Sequence, residues 1–136
     1  MFLTEEKVLK KIAQDRARND LKRARERALD AYERWPDNYD LGMEAIQACI
    51  DLGDNHKAAA LLKKAIVRHS KKRSQIEQYA LDAFHASFNP FLGSFLVELR
   101  LKRRDIEGVR LILSQSSESF VNDLIKRSET RRQSEM

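Results

Sequence analysis

The stretch LGDNHKAAALLKKAI, residues 52–66, decides the fold because it holds the end of one helix and the start of the next. The apolar run before it ends at Gly53, a residue that adopts the left-handed backbone conformation of a helix C-terminus without steric cost. Asp54 or Asn55 then caps a second helix, whose apolar side begins at Ala58. The stretch therefore predicts two helices joined by a tight turn, with alanine on the inner side of the second.

Apolar residues recur at helical spacing along most of the remaining chain. The four glycines and two prolines are too few for the turns of an all-β fold. Breaks are predicted at Asn19-Asp20, Trp35-Pro36 and Asn89-Pro90, from their capping residues and prolines. No Gly or Pro interrupts the first of these, so one long helix competes there with the break that we favour. The pattern predicts an all-α fold of about 7–8 helices, whose short turns favour antiparallel helical hairpins.

The apolar positions of three helices coincide when the chain is shifted by 34 residues. The shift aligns Ala24 with Ala58 and Leu92, Ala28 with Leu62 and Leu96, and Ala31 with Ala65 and Leu99. A helix–turn–helix period of this length is typical of stacked repeats, in which each hairpin buries its apolar face against its neighbours.

These features resemble the tetratricopeptide-repeat family. Residues 52–66 resemble its Leu-Gly-Asp turn, with the small residue at Ala58, and ALDAYERWPDN resembles its helix end, with Ala31 and Pro36. The resemblance implies a right-handed stack of helical hairpins, an α-solenoid, over residues 1–128, followed by a polar basic tail, 129–136. A similar turn at Arg104-Asp105 lies 51 residues after Gly53-Asp54, which leaves the third hairpin either divergent or out of phase.

A polar stripe runs along the predicted helix 38–52, which is otherwise apolar. Its members follow i, i+4, i+7, i+11 spacing and share one side of the helix: Asp40, Glu44, Gln47 and Asp51. A later helix carries a similar stripe of Gln78, Asp82 and His85. In the tetratricopeptide family the first helix of each hairpin lines a groove that receives peptides, so the resemblance implies that both stripes face such a groove. The alternative is a solvated face without a ligand.

The charge of this region predicts the kind of partner. Residues 28–54 hold one basic and seven acidic residues, although the whole chain has a net charge of +5. The best-known groove of the family grips a terminal carboxylate with Lys, Asn and Arg, for which an acidic stripe is unsuited. We therefore expect a non-catalytic protein–protein interaction module that binds a protein or peptide, basic or polar in character.

Basic residues cluster at residues 22–27, 68–73, 100–104 and 131–132. Cations are favourable near helix C-termini, which accounts for such clusters without a ligand. The alternative is a nucleic-acid-associated helical-repeat protein that contacts phosphates with these clusters. No aromatic residue is interleaved with them, as stacking on single-stranded bases would require.

The most aromatic segment, residues 88–95, predicts either a packed corner or an exposed apolar patch for a partner. A stack of repeats also has open ends. A homodimer that covers those ends is a further interpretation of the sequence.

The sequence carries no signature of catalysis. His56, His69 and His85 are isolated, and Cys49 lies on an apolar helix, which predicts a buried and inert thiol. No phosphate-binding loop or nucleophile elbow is present, so we expect no enzyme activity, no metal and no cofactor. No apolar stretch approaches the ~18 residues that cross a bilayer, and we expect a cytoplasmic protein with no membrane contact.

Overall fold

The structure, a computed structural model, describes residues 4–116 and 125–126. Within these residues it contains one 3₁₀ turn, Ser70–Lys72, no strand and seven α-helices: α1 (Glu5–Ala17), α2 (Leu21–Arg34), α3 (Tyr39–Asp51), α4 (Asn55–Arg68), α5 (Arg73–Ser87), α6 (Pro90–Lys102) and α7 (Ile106–Ser114). The predicted all-α fold is confirmed, as is the break at Asn19-Asp20. The tail at 129–136 lies outside the described residues.

The chain divides into two compact units, Met1–Ile76 and Glu77–Met136. The first unit holds α1 to α4 and the start of α5, and the second holds the rest of α5 with α6 and α7. Each unit is described by itself below.

In the first unit each helix packs on the next, and α1 also contacts α3. Because α3 lies against α1, α2 and α4, it is the most apolar helix of the unit, and its buried side chains include Leu41, Ala45, Ile46 and Cys49. The facing positions of α2 and α4 are mostly alanine and leucine. Small residues at these crossings allow the helix axes to approach closely.

The 34-residue shift found in the sequence corresponds to a shared pattern of burial. All nine residues that it aligns on α2, α4 and α6 are buried in the structure. Equal spacing therefore corresponds to equal burial, which confirms that the three helices share an apolar phase.

Three of the turns between helices have the same construction. After the helix end, each turn has a residue with left-handed backbone and then an aspartate. The pairs are Asn19-Asp20, Gly53-Asp54 and Arg104-Asp105, and the φ angle of the first residue in each pair is 60°, 77° and 57°. The amide of each aspartate donates to the carbonyl five residues earlier, at 2.8–2.9 Å, as in a Schellman motif. Each aspartate carboxylate then accepts a hydrogen bond from the amide three residues later and so caps the next helix.

The third of these turns joins α6 to α7, so α5 comes between the second and third of these turns in the order of the chain. The prediction that Arg104-Asp105 is a turn of the Gly53-Asp54 kind is confirmed. Shifted by 51 residues, the buried positions of α3 fall on buried positions of α6, with Gly42 on Gly93 and Ile46 on Val97. Because α6 is buried around most of its circumference, its buried positions match those of α4 at a shift of 34 residues and those of α3 at a shift of 51 residues.

The carbonyls that accept from the three aspartate amides belong to Asp15, Cys49 and Arg100. These three residues therefore occupy one position of the turn, and all three are buried. In the first unit Arg27 donates its Nε–H to the Asp15 carboxylate at 2.8 Å. In the second, Arg100 donates to the Gly108 carbonyl at 2.8 Å and lies 3.5 Å from Glu77.

In the second unit Glu77 of α5 accepts hydrogen bonds from Arg100 of α6 and from Arg103, the residue that follows α6. Arg103 donates from both terminal nitrogens to the two carboxylate oxygens, and Arg100 donates from its Nε. The hydrogen bonds from Arg103, more than any other effect, hold the pKa of Glu77 below its usual range. Charged side chains thus join α5 to the C-terminal end of α6.

The side chain of Tyr32 in α2 packs against the backbone of Gly42 in α3. A Cβ atom at Gly42 would lie 2.8 Å from Cζ and 2.9 Å from Cε1 of the Tyr32 ring, closer than carbon atoms approach in proteins. Glycine is therefore required here by the close approach of a buried ring, and the same contact fixes where the ring lies.

We expect Gly42→Ala to lower the free energy of unfolding by roughly 1–3 kcal/mol, because the added methyl group overpacks a buried aromatic contact. Urea unfolding followed by circular dichroism measures the change. A loss below about 0.5 kcal/mol, the scatter of ordinary surface substitutions, would contradict the close contact with Tyr32.

The third turn places an arginine where the second has glycine, and this difference is testable. We expect Arg104→Gly to raise the free energy of unfolding by about 1 kcal/mol, because left-handed backbone is unfavourable for a residue with a Cβ atom. Gly53→Ala, at a site with no atom near the added methyl group, should lower it by about the same amount. Effects of the same sign in both variants would contradict the shared turn geometry.

Candidate functional site

The predicted stripe on α3 lies at the surface of the first unit, with none of its four members buried. Two of its three acidic residues, Glu44 and Asp51, contact α1. Arg16 donates from Nε to Glu44 Oε2 and from Nη1 to Asp51 Oδ2, each at 3.0 Å. Gln47 donates to the other oxygen of the Asp51 carboxylate at 2.7 Å. The stripe is therefore part of a polar network across α1 and α3.

Arg16 changes the electrostatics that the sequence predicted. It offsets the charge of two of the three carboxylates, whereas Asp40 is exposed and no ion pair to it is found among the described residues. The net negative charge is therefore concentrated toward the N-terminal end of α3. The spacing of α3 alone did not reveal this, because Arg16 is 28 residues from Glu44 in sequence.

The second predicted stripe lies on the exposed side of α5, in the other unit. Gln78 donates to Asp82 Oδ1 at 2.9 Å, and His85 Nε2 lies 3.2 Å from Gln115 Oε1. All three side chains of the stripe are exposed. This stripe is a second polar surface that is less charged than the first.

A surface feature of the first unit that we did not predict is a groove of about 500 Å³ between α2 and α4. Its α4 side consists of Lys57, Leu61, Lys64 and Arg68. These follow the same i, i+4, i+7, i+11 spacing as the acidic stripe of α3, which is the signal that could have identified them. The basic clusters predicted from the sequence were short segments of neighbouring residues, so Arg68 was grouped with residues 71–73 and not with Lys57 and Lys64.

Aromatic rings and cations meet where α2, α3 and the end of α4 come together. The His69 ring stacks on Tyr32 and lies edge-on to Tyr39, with centroid distances of 6.2 and 5.6 Å. His69 Nε2 is 3.1 Å from the Tyr32 hydroxyl. The cations of Arg68 and Lys72 lie over the rings of Tyr32 and Tyr39, at 5.8 and 5.0 Å. His69 thus has a packing role.

Several arginines of the predicted basic clusters are held in ion pairs within a unit. Arg27 pairs with Asp15 and Arg25 lies 3.7 Å from Asp54. Arg100 and Arg103 both pair with Glu77. These cations stabilise turns and helix contacts, which leaves fewer of them for phosphate groups than the sequence suggested.

The aromatic segment at residues 88–95 is packed at one position and exposed at two others, so each of its two interpretations holds for part of it. Phe95 is buried in the second unit, whereas Phe88 is 52% exposed and Phe91 is 41% exposed. Phe88 has left-handed backbone, with φ of 52°, and Asn89 caps α6 just after it. The segment is therefore a capped corner with two rings at the surface.

The remaining candidates for chemistry lie apart from one another. Cys49 is fully buried, and burial together with Asp54 raises the pKa of its thiol, as expected for an inert side chain. The described residues contain no group of three or more His, Cys, Asp or Glu placed to hold a metal ion. None of the helices in the described part of the chain is both long enough and apolar enough to cross a membrane.

Compared with models of protein families, with curated proteins and with solved structures, the chain gives no significant match. The resemblance to tetratricopeptide repeats therefore stays a prediction, and function is argued from the geometry of the chain itself.

His69 makes stability depend on pH. Partial burial and, secondarily, the neighbouring Arg68 hold the pKa of His69 below its usual value, so the folded chain binds this proton less well than the unfolded chain. Its contribution is fully present above the ordinary pKa of about 6.5 and is lost as the pH falls through the lower folded pKa. The free energy of unfolding should therefore rise between about pH 5 and pH 7.

Urea unfolding of the parent and of His69→Gln across this pH range measures the effect. We expect the rise to be smaller in His69→Gln and retained in His56→Gln, which removes an exposed histidine from the same unit. Identical pH profiles for all three chains would contradict the role given to the His69 environment.

Proposed function

We propose that this chain is a non-catalytic protein–protein interaction module built from tetratricopeptide-like helical hairpins. The repeated turns and the shared burial of α2, α4 and α6 support a hairpin architecture. A right-handed solenoid with a peptide groove is the arrangement that the resemblance implies. We further propose a cytoplasmic location, as the sequence suggests.

The observation that carries the proposal is the exposed polar stripe of α3, which lies beside α1. The other sides of α3 are buried by its neighbours, and the side that stays at the surface presents four polar groups in one row. Since α1 contacts α3 directly, the stripe and α1 together offer a peptide a surface formed by two helices. The ligand that suits it is a peptide with a cationic residue near Asp40 and polar groups along the stripe.

A peptide is a better candidate than nucleic acid for this chain. Arg25, Arg27, Arg100 and Arg103 form internal ion pairs, which reduces the positive field available to phosphates. Self-association through the ends of the hairpins is a separate alternative, and sedimentation equilibrium would distinguish it.

The test uses the whole 136-residue chain as bait for a phage-displayed library of random peptides of about 16 residues, long enough to span a helix of the size of α3. Basic peptides from the selection are then synthesised and titrated by fluorescence anisotropy. Asp40→Lys should weaken their binding by about tenfold, through repulsion of the cationic residue. Arg16→Gln should strengthen it, because Glu44 and Asp51 lose their internal counter-ion.

Asp30→Lys is the matched control, since it makes the same change of charge at an exposed site on α2. Equal losses for Asp40→Lys and Asp30→Lys would contradict a site on the α3 stripe. Tighter binding of a single-stranded oligonucleotide than of any selected peptide, with a steep dependence on salt, would favour the nucleic-acid alternative.

A further inference from the structure

The groove between α2 and α4 has an apolar floor and a basic wall. Leu61 and Tyr32 at its base are buried and Leu29 is half-buried, whereas Lys57 and Lys64 at its edge are exposed. The α4 wall, from Lys57 to Arg68, extends for about 16 Å at the rise of an α-helix. The groove therefore combines a surface for apolar side chains with a row of cations beside it.

The cations of the wall are positioned by local structure. Arg68 lies 5.8 Å from the centroid of the Tyr32 ring, and this cation–π contact holds the guanidinium at the edge of the groove. Lys57, Lys64 and Arg68 share one side of α4, so their charges point the same way. Glu33 of α2 is the acidic residue among those that line the groove, which leaves its net charge positive.

We infer that this groove binds an acidic peptide segment in which apolar side chains accompany the carboxylates. Apolar side chains of the segment would lie against Leu29 and Leu61, and its carboxylates would face Lys57, Lys64 and Arg68. Charge complementarity sets the sign of the partner. The site is formed by α2 and α4 without the α3 stripe, so it does not depend on the function proposed above.

The same contacts favour a peptide over nucleic acid. Phosphate groups gain nothing from an apolar floor, and a base has no open ring to stack on because Tyr32 is buried and covered by Arg68. A concave apolar surface with charges at one edge is instead the arrangement found where peptide segments dock into grooves.

The experiment uses the same phage library of peptides of about 16 residues and adds a counter-selection. A peptide of this size is longer than the ~16 Å groove whether it binds as a helix or as an extended strand. Phage that bind the parent chain but not Lys57→Glu/Lys64→Glu are kept. This variant is compatible with the helix, because glutamate is a good helix former and is favourable in a first turn. We expect the retained peptides to be rich in Asp or Glu together with Leu, Ile or Phe.

Synthetic versions are then titrated by fluorescence anisotropy. We expect at least about tenfold weaker binding to Lys57→Glu/Lys64→Glu and unchanged binding to Lys10→Glu/Lys11→Glu, a matched change of charge on exposed residues of α1. A peptide with serine in place of its apolar residues should also bind at least about tenfold more weakly. Amide shifts of the ¹⁵N-labelled chain on α2 and α4, rather than on α3, would place the peptide in the groove.

Equal weakening in the two double variants would overturn the proposal, as would retained peptides without acidic residues. Undiminished binding of the serine-substituted peptide would show a general attraction to positive charge and would also overturn it, as would amide shifts confined to α3. Selected peptides that are basic and sensitive to Asp40→Lys would support the α3 stripe without supporting this groove, so the two proposals fail separately.

Discussion

The structure depends on one backbone constraint, the reversal of the chain through a left-handed residue followed by an aspartate. Helix ends leave unsatisfied carbonyls and amides, and this turn satisfies groups of both kinds within three residues. A connection this short brings the two helices into contact at once. The apolar faces of α1 with α2, α3 with α4, and α6 with α7 are therefore buried by sequence neighbours, and the positions of the surface stripes follow from that packing.

Because the hairpins are made by local turns, their side chains are tied to fixed positions along the helices. The close contact of Tyr32 with Gly42 sets the separation of α2 from α3, and the Tyr32 ring then supports both His69 and Arg68. The groove between α2 and α4 has Tyr32 in its lining for the same reason. A packing requirement in the interior thus determines the form of a surface that could serve recognition.

The sequence predicted the helices well because their signals are local. Asp20, Asn38, Asp54, Asn89 and Asp105 each cap the helix that they precede, and short-range hydrogen bonds of this kind depend only on nearby residues. The surface charge was less predictable because it depends on distant partners. Arg16 reaches the α3 stripe from another helix, and Arg25 and Arg27 turn toward aspartates rather than toward solvent. The spacing of the basic wall on α4 is visible in the sequence, but the groove itself is not, because it forms only where α2 lies beside α4.

The turn position shared by Asp15, Cys49 and Arg100 has a consequence for folding fidelity. Hairpins with the same burial pattern could exchange partners as the chain collapses, but this position carries a carboxylate in the first, a thiol in the second and a guanidinium in the third. Asp15 of α1 is matched by Arg27 of α2, and Arg100 of α6 by Glu77 of α5, so a helix that packed against the wrong neighbour would bury one of these charges without its counter-ion. The cost of such a mispaired charge, several kcal/mol, is a large part of the stability of a domain this small. In the first and third hairpins the charged residue at this position therefore favours the correct helix neighbour over an incorrect one.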